Sequence, residues 1–207
     1  MREFRMMVLL LAALVACDSA ARAAEKKLVP EEGAFEVMLL RQKAVQDDLN
    51  LTAEESRQIK EFTDKQWKRA QEIEEGDTAT RDKTYDEMTK ENHKFVHDVL
   101  EPPQRKRLHQ IMLQVAGLMS VTNPHVASEI KLTDEQKARA RSYQEEARKE
   151  MRDLIHSETA AGKQEKLDEL RMTSRKRLLD LLTDEQETKW KEMTGAPFTR
   201  TLDFSGR

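Results

Sequence analysis

Apolar residues recur along most of this chain at intervals of three and four with charged residues between them, the pattern of amphipathic helices. From Ala34 to Leu49, Phe35, Met38, Leu39, Ala44 and Val45 predict a lead-in helix ended near Asn50. Ile59, Phe62, Ala70 and Ile73 mark a longer helix that stops at Gly76, a natural residue just past a helix end. After a turn around Asp77 to Thr80, the next stripe is Tyr85, Met88, Phe95, Val96 and Val99, and a third is Leu108, Ile111, Met112, Val115 and Met119. Ser120 to Lys131, with Asn123-Pro124 inside it, reads as an inter-unit loop or a broken helix. The plan then recurs with Ala140, Tyr143, Ala147, Met151 and Leu154, a turn near Gly162, a helix from Leu167 to Leu182 and a shorter one with Trp190 and Met193. From Gly195 the periodicity is lost and a tail is expected.

The starts of these helices share a phrase. Leu132-Thr133-Asp134-Glu135-Gln136 recurs letter for letter as Leu182-Thr183-Asp184-Glu185-Gln186. Degraded copies stand at Leu51-Thr52-Ala53-Glu54-Glu55 and Leu100-Glu101-Pro102-Pro103-Gln104. The physical reading is a capping box: the Thr side chain accepts from a free backbone N–H of the first turn, and the Glu or Gln three residues on reaches back to the threonine's own N–H. In the fourth copy Pro102 suits the first helical position, where its missing N–H costs nothing. Ser56, Arg105, Lys137 and Glu187 stand where an apolar staple partner would, so each leucine is expected to pack against another helix.

The phrases are spaced as a duplication. At an offset of 81 residues Thr52 meets Thr133, Val45 meets Val126, Leu49 meets Ile130, Phe62 meets Tyr143 and Ile73 meets Leu154. After one insertion the offset is 82, pairing Met88 with Leu170, Leu100 with Leu182 and Gln104 with Gln186. Self-similarity of this length indicates a repeated supersecondary unit.

The first residues follow another rule. Two arginines precede an apolar run from Met6 to Ala16, too short to span a bilayer, which reads as a signal peptide. Leu14-Val15-Ala16-Cys17 resembles a bacterial lipobox, making Cys17 a lipid-attachment residue; cleavage after Ala21-Arg22-Ala23 is the alternative. Cys17 is the only cysteine, which excludes a disulfide framework, a thiol nucleophile in the body and a cysteine-based zinc site. With 36% charged residues, 5% aromatics and six glycines, the composition suits helices around a thin core and disfavours large sheets.

These residues carry a resemblance. Repeated Leu-Thr-x-x-Gln in an exported, helical, cysteine-poor chain resembles the LTxxQ-motif family of Spy- and CpxP-like periplasmic helical proteins, fully at 132–136 and 182–186 and partly at 51–55 and 100–104. The resemblance implies ATP-independent binding of unfolded or envelope proteins, or a stress-accessory role, by a helical cradle. It implies no cofactor, and assembly either as a homodimer or, since two motif pairs stand in tandem, as a two-fold cradle within one chain.

A surface for such partners needs adaptable apolar groups beside charge, and Trp67, Met112, Met119, Met151 and Met172 are the candidates, each with core filling as its competing role. His93 and His97, one turn apart with Glu101 beyond, have a chelating spacing, but a solvated face is the simpler reading. The basic runs Arg105-Lys106-Arg107 and Arg171 with Arg175-Lys176-Arg177 suit anionic lipid or acidic segments, or simply solvated faces; nucleic acid is a poor choice at a net charge of −3. No glycine-rich phosphate loop or activated-serine motif points to an enzyme. The expectation is thus an all-α chain: signal peptide 1–16, tether 17–32, and two tandem units of antiparallel amphipathic helices at 33–119 and 120–194. Each unit is a helical hairpin plus a short third helix, and a tail covers 195–207. The expected function is an exported, lipid-anchored, chaperone-like binder, with an envelope scaffold or a metal-responsive protein as alternatives.

Overall fold

The computed structural model describes residues 31–73, 78–156 and 163–202. Among the described residues the chain is all-helical, with nine α-helices and no strand. They are α1 (Glu31–Leu40), α2 (Lys43–Asp48), α3 (Ala53–Ile73), α4 (Thr78–Val99), α5 (Pro102–Ala116), α6 (Pro124–Glu129), α7 (Asp134–His156), α8 (Lys163–Leu181) and α9 (Asp184–Thr194), with a turn of 3₁₀ helix at Gly117–Ser120 after α5. The turns expected at Gly76 and Gly162, the signal peptide and the tether through Pro30 lie outside the described residues. The described residues divide into two compact units, one reaching Met112 and including residues 198–202, the other within Leu113–Pro197. The division falls inside α5.

In the first unit α3 and α4 run antiparallel: Phe62 pairs with Phe95, Gln66 with Glu91 and Arg69 with Glu87, each step along α3 matched by a step back along α4. The expected single lead-in helix is broken at Arg41 and Gln42 into α1 and α2. The Gln46 amide donates to the Leu40 carbonyl at 2.8 Å, giving a partner to one group the break releases. α1 lies close against α4, since a Cβ on Gly33 would stand 3.0 Å from the Thr89 carbonyl oxygen and 3.3 Å from Asn92 Cβ. The core gathers Leu39, Leu40 and Val45 with Ile59, Val96, Leu108 and Ile111, and also encloses the polar Thr63, Gln66 and Asn92.

The second unit buries Leu118, Val121, Val126, Ile130, Leu132, Ala140, Leu178 and Trp190 in one cluster. Gln144, only 2% exposed, donates to the Leu118 carbonyl at 2.8 Å and so fastens the 3₁₀ turn to α7. The Gln114 amide bonds the carbonyls of Thr194 at 2.7 Å and Ala196 at 2.9 Å, holding the end of α9.

The caps have the geometry that the repeated phrase predicts. Thr52 N–H donates to Glu55 Oε2 at 2.6 Å and Glu55 N–H to Thr52 Oγ1 at 3.2 Å. The matching bonds join Thr133 and Gln136 at 3.0 and 3.1 Å, and Thr183 and Gln186 at 3.0 and 3.3 Å. In the degraded copy Glu101 N–H still donates to Gln104 Oε1 at 2.7 Å. Each cap at Thr52 and Thr133 follows a left-handed stop. Asn50 and Lys131, 81 residues apart, are the two non-glycine residues of positive φ among the described residues, at 51° and 53°. Leu51 N–H reaches back to the Gln46 carbonyl as Leu132 N–H does to Ala127, and Asn50 to Asp47 as Lys131 does to Ser128.

The glutamines have a second role that the phrase alone does not disclose. Gln136 and Gln186 form a reciprocal amide pair, with Nε2-to-Oε1 distances of 2.7 and 3.0 Å. Each also donates to the carbonyl preceding the other's leucine, Gln136 to Leu181 at 2.8 Å and Gln186 to Lys131 at 3.0 Å. Both acceptor positions and both donors of each amide are thereby used. In the first unit the same seam holds Glu55 and Gln104, with Gln104 Nε2 donating to Glu55 Oε1 at 3.2 Å, and a carboxylate has no N–H to return. The Thr52 N–H foremost, then the Thr52 hydroxyl and the Gln104 amide, hold the Glu55 carboxyl below its ordinary value against partial desolvation. A lowered folded-state pKa means that the fold favours the ionised form. Its contribution is present above the ordinary carboxylate range and is lost as pH falls through the lowered value.

Two stability measurements check this arrangement. Gln136→Ala and Gln186→Ala are each expected to cost about 1–2 kcal/mol in denaturant unfolding, with a non-additivity of about 0.5 kcal/mol or more in the double variant; additive losses would mean that the amides do not act as a pair. Glu55→Gln is expected to make unfolding less sensitive to acid than the native chain as pH falls from above the ordinary carboxylate range through the lowered Glu55 value, followed by far-ultraviolet circular dichroism.

Candidate binding surface

On the seam between α3 and α4 of the first unit, Phe62 and Phe95 stack with ring centroids 3.8 Å apart and an interplanar angle of 3°. Both rings are only half-buried. So close and parallel a stack is not the arrangement that ring quadrupoles favour, so packing and desolvation hold it. The rings form the floor of a shallow groove of about 270 Å³, edged by Lys65, Glu91, Lys94 and Asp98. Lys94 is bonded to Asp98, one turn on. Glu91 accepts from Arg69 Nη1 at 2.8 Å and from Gln66 at 3.0 Å, and these partners, Arg69 foremost, hold its carboxyl below the ordinary value. The site is therefore an apolar strip between tethered charges.

The matching place in the second unit is built differently. Phe62 corresponds to Tyr143 and Phe95 to Arg177, and the Arg177 guanidinium sits 5.4 Å from the Tyr143 ring centroid. Glu146, at the place of Lys65, pairs with Arg177 at 2.9 Å. A cation–π contact closed by an ion pair satisfies its own charge, whereas two stacked phenyl rings leave apolar edges toward water. Sequence reasoning put Phe62 and Phe95 in the core stripe. The signal against that lay in the repeat: a position that accepts Arg177 in one copy is not a dry interior.

The candidates named from sequence are scattered. Met112 is 6% exposed and belongs to the core, so it offers no surface. Met119 on the 3₁₀ turn and Met151 on α7 are half-buried, while Met172 on α8 is 73% exposed. Trp67, on the flank of α3 away from Phe62, lies under the Arg41 guanidinium at 5.1 Å, and Arg41 stands 3.9 Å from Asp64. Cys17 lies outside the described residues.

His93 and His97 do not converge. His93 turns toward α1, its Nδ1 3.2 Å from Glu36 Oε2, while His97 is exposed beside Asp98; the solvated face expected for both holds for His97 alone. α1 approaching at Gly33 is what covers His93. No group of three or more His, Cys, Asp or Glu able to hold a metal exists among the described residues. The basic runs are largely engaged locally: Arg105 donates to the His97 carbonyl at 2.9 Å at the end of α4, Arg107 pairs with Asp48 at 2.6 Å, and Lys176 with Asp180 at 2.6 Å. No helix among the described residues is long and apolar enough to cross a membrane.

No protein-family model, curated protein or solved structure matches the chain.

Burial separates the methionines in a way that unfolding can measure. Met112→Ala is expected to cost about 2–5 kcal/mol and Met172→Ala no more than about 0.5 kcal/mol; equal losses would contradict the placement of Met112 in the core.

Proposed function

We propose that this protein binds unfolded or partly folded proteins of the cell envelope without nucleotide, as a chaperone-like or stress-associated factor exported and held at the membrane by lipid on Cys17. The observation that carries the reading is the half-exposed Phe62–Phe95 stack bordered by Lys65 and Lys94, apolar contact beside long-stemmed charge on a rigid hairpin. Two further features support it. The repeated caps and left-handed stops fit a tandem duplication of one helical unit, and the divergence of Phe62 and Phe95 into Tyr143 and Arg177 fits a scaffold in which one copy was retained for binding and the other for structure. The dense local ion pairing of α3 and α8 suits a surface that stays soluble while carrying an apolar strip.

An aggregation assay tests the reading. The purified protein is expected to suppress light scattering of a thermally unfolding client at stoichiometric amounts without ATP. A scattering curve unchanged at a several-fold excess would leave the envelope scaffold and the metal-responsive protein as the surviving readings.

A further inference from the structure

The two units are held together inside by different chemistry. In the first, helix meets helix through carboxylates: Glu55 joins α3 to Gln104 of α5, Glu91 joins α4 to Arg69 and Gln66 of α3, and Asp48 joins α2 to Arg107 of α5. In the second, neutral amides take that role. Gln136 meets Gln186 between α7 and α9, Gln144 holds the 3₁₀ turn on α7, and Gln114 holds the end of α9. One carboxylate, Glu146, also crosses between helices there, but it shares Arg177 with the Tyr143 ring, so the cation keeps a partner when the acid is protonated.

Acid acts unequally on these two arrangements. An amide keeps its donors and acceptors at low pH, whereas a protonated carboxyl loses the charge that its partners hold. Glu55 is held by the Thr52 N–H and hydroxyl and by Gln104, all uncharged. Its charged neighbours are engaged elsewhere, Glu54 with Arg57 and Arg105 with the His97 carbonyl, while Glu101 is exposed at the start of α5. Glu91 faces Arg69 and Gln66 with Lys65 close by, and Glu87 shares the Arg69 guanidinium. Both carboxyls are held below their ordinary value, Glu55 chiefly by the Thr52 N–H and Glu91 chiefly by Arg69. Glu54, Asp64 and Asp98, held low by Arg57, Lys60 and Lys94, lie in the same unit. What such groups contribute is present above the ordinary carboxylate range and is lost as pH falls through their lowered values.

Resting on the binding reading above, we propose that acid opens the first unit while the second stays folded, and that the opened unit takes unfolded segments on the apolar faces its helices otherwise bury. Ile59 on α3, Met88 and Val96 on α4 and Leu108 on α5 are the buried residues so uncovered.

Amide hydrogen exchange of the whole protein, read by mass spectrometry and corrected for the intrinsic effect of pH, follows the two units separately. As pH falls from above the ordinary carboxylate range, protection of α3 and α4 is expected to drop at least about tenfold before protection of α7 and α9 changes. In Glu55→Gln with Glu91→Gln the first unit is expected to keep its protection to lower pH, and Gln136→Glu is expected to bring the second unit's loss to higher pH. Opening of both units together, or of the second before the first, overturns the proposal, as does a double variant whose first unit opens at the native pH. Should the double variant not fold at neutral pH, Gln136→Glu decides alone, and an unmoved second unit overturns the proposal. Binding is read by the anisotropy of rhodamine-labelled lysozyme, reduced and alkylated so that it is unfolded at every pH used. Affinity is expected to rise about tenfold across the span in which the first unit opens, and the double variant is expected to lose that rise. Binding at neutral pH with no rise in acid overturns the proposal and leaves the general binding reading standing. No binding at any pH removes both.

Discussion

Each helix-starting glutamine of the second unit satisfies two demands with one amide. Its oxygen must accept the N–H of its own capping residue, or a helix end is left with a free donor. Its nitrogen must find acceptors in a place that packing has partly closed to water. Gln136 and Gln186 meet both demands by facing each other, and each then donates to the backbone just before the other's leucine. The starts of α7 and α9 are thereby brought together at the end of α8, and Leu132 is drawn into the core with Leu178 and Trp190. A Glu or Asn in either position could still cap, but it could not complete the pair: the first lacks donors and the second lacks reach.

The first unit carries that substitution, and its consequences extend beyond the cap. With Glu55 opposite Gln104, one charge-assisted bond replaces a reciprocal pair and the seam becomes dependent on ionisation. The interior of that unit is also the more polar one. Thr63, Gln66 and Asn92 are buried where the second unit has Gln144, Ala147 and the half-buried Ser174. Gln66 extends outward to Glu91, which Arg69 also holds, so a polar chain runs from the core to the rim of the phenylalanine groove. The groove's geometry is therefore anchored from beneath by buried polar supports.

Much of the architecture could be read from residue order, because capping and helical periodicity are local. The threonine-led starts at Thr52, Thr133 and Thr183, Pro102 at the head of α5, and the stripe that buries Ile59 and Ala140 all follow from spacing within a turn or two. The break at Arg41 was not legible in the same way. Helical spacing continues across it, and only the structure shows that the chain turns there with Leu39, Leu40 and Val45 buried on both sides of the break. His93 was misplaced for a related reason: its helix face looks solvated until α1 approaches through Gly33.

Residue order by itself determined where helices begin and that the described residues are helical, since each depends on contacts between residues a few positions apart, and it displays the recurrence of the capping phrase directly. Tertiary structure alone decided that Gln136 meets Gln186 across 50 residues and that Phe62 stacks on Phe95 at a half-open seam. It also decided that Met112 is interior while Met172 is not. An apolar residue on a helix stripe is written the same way whether the space opposite it is filled or empty, and only the neighbouring helix settles which.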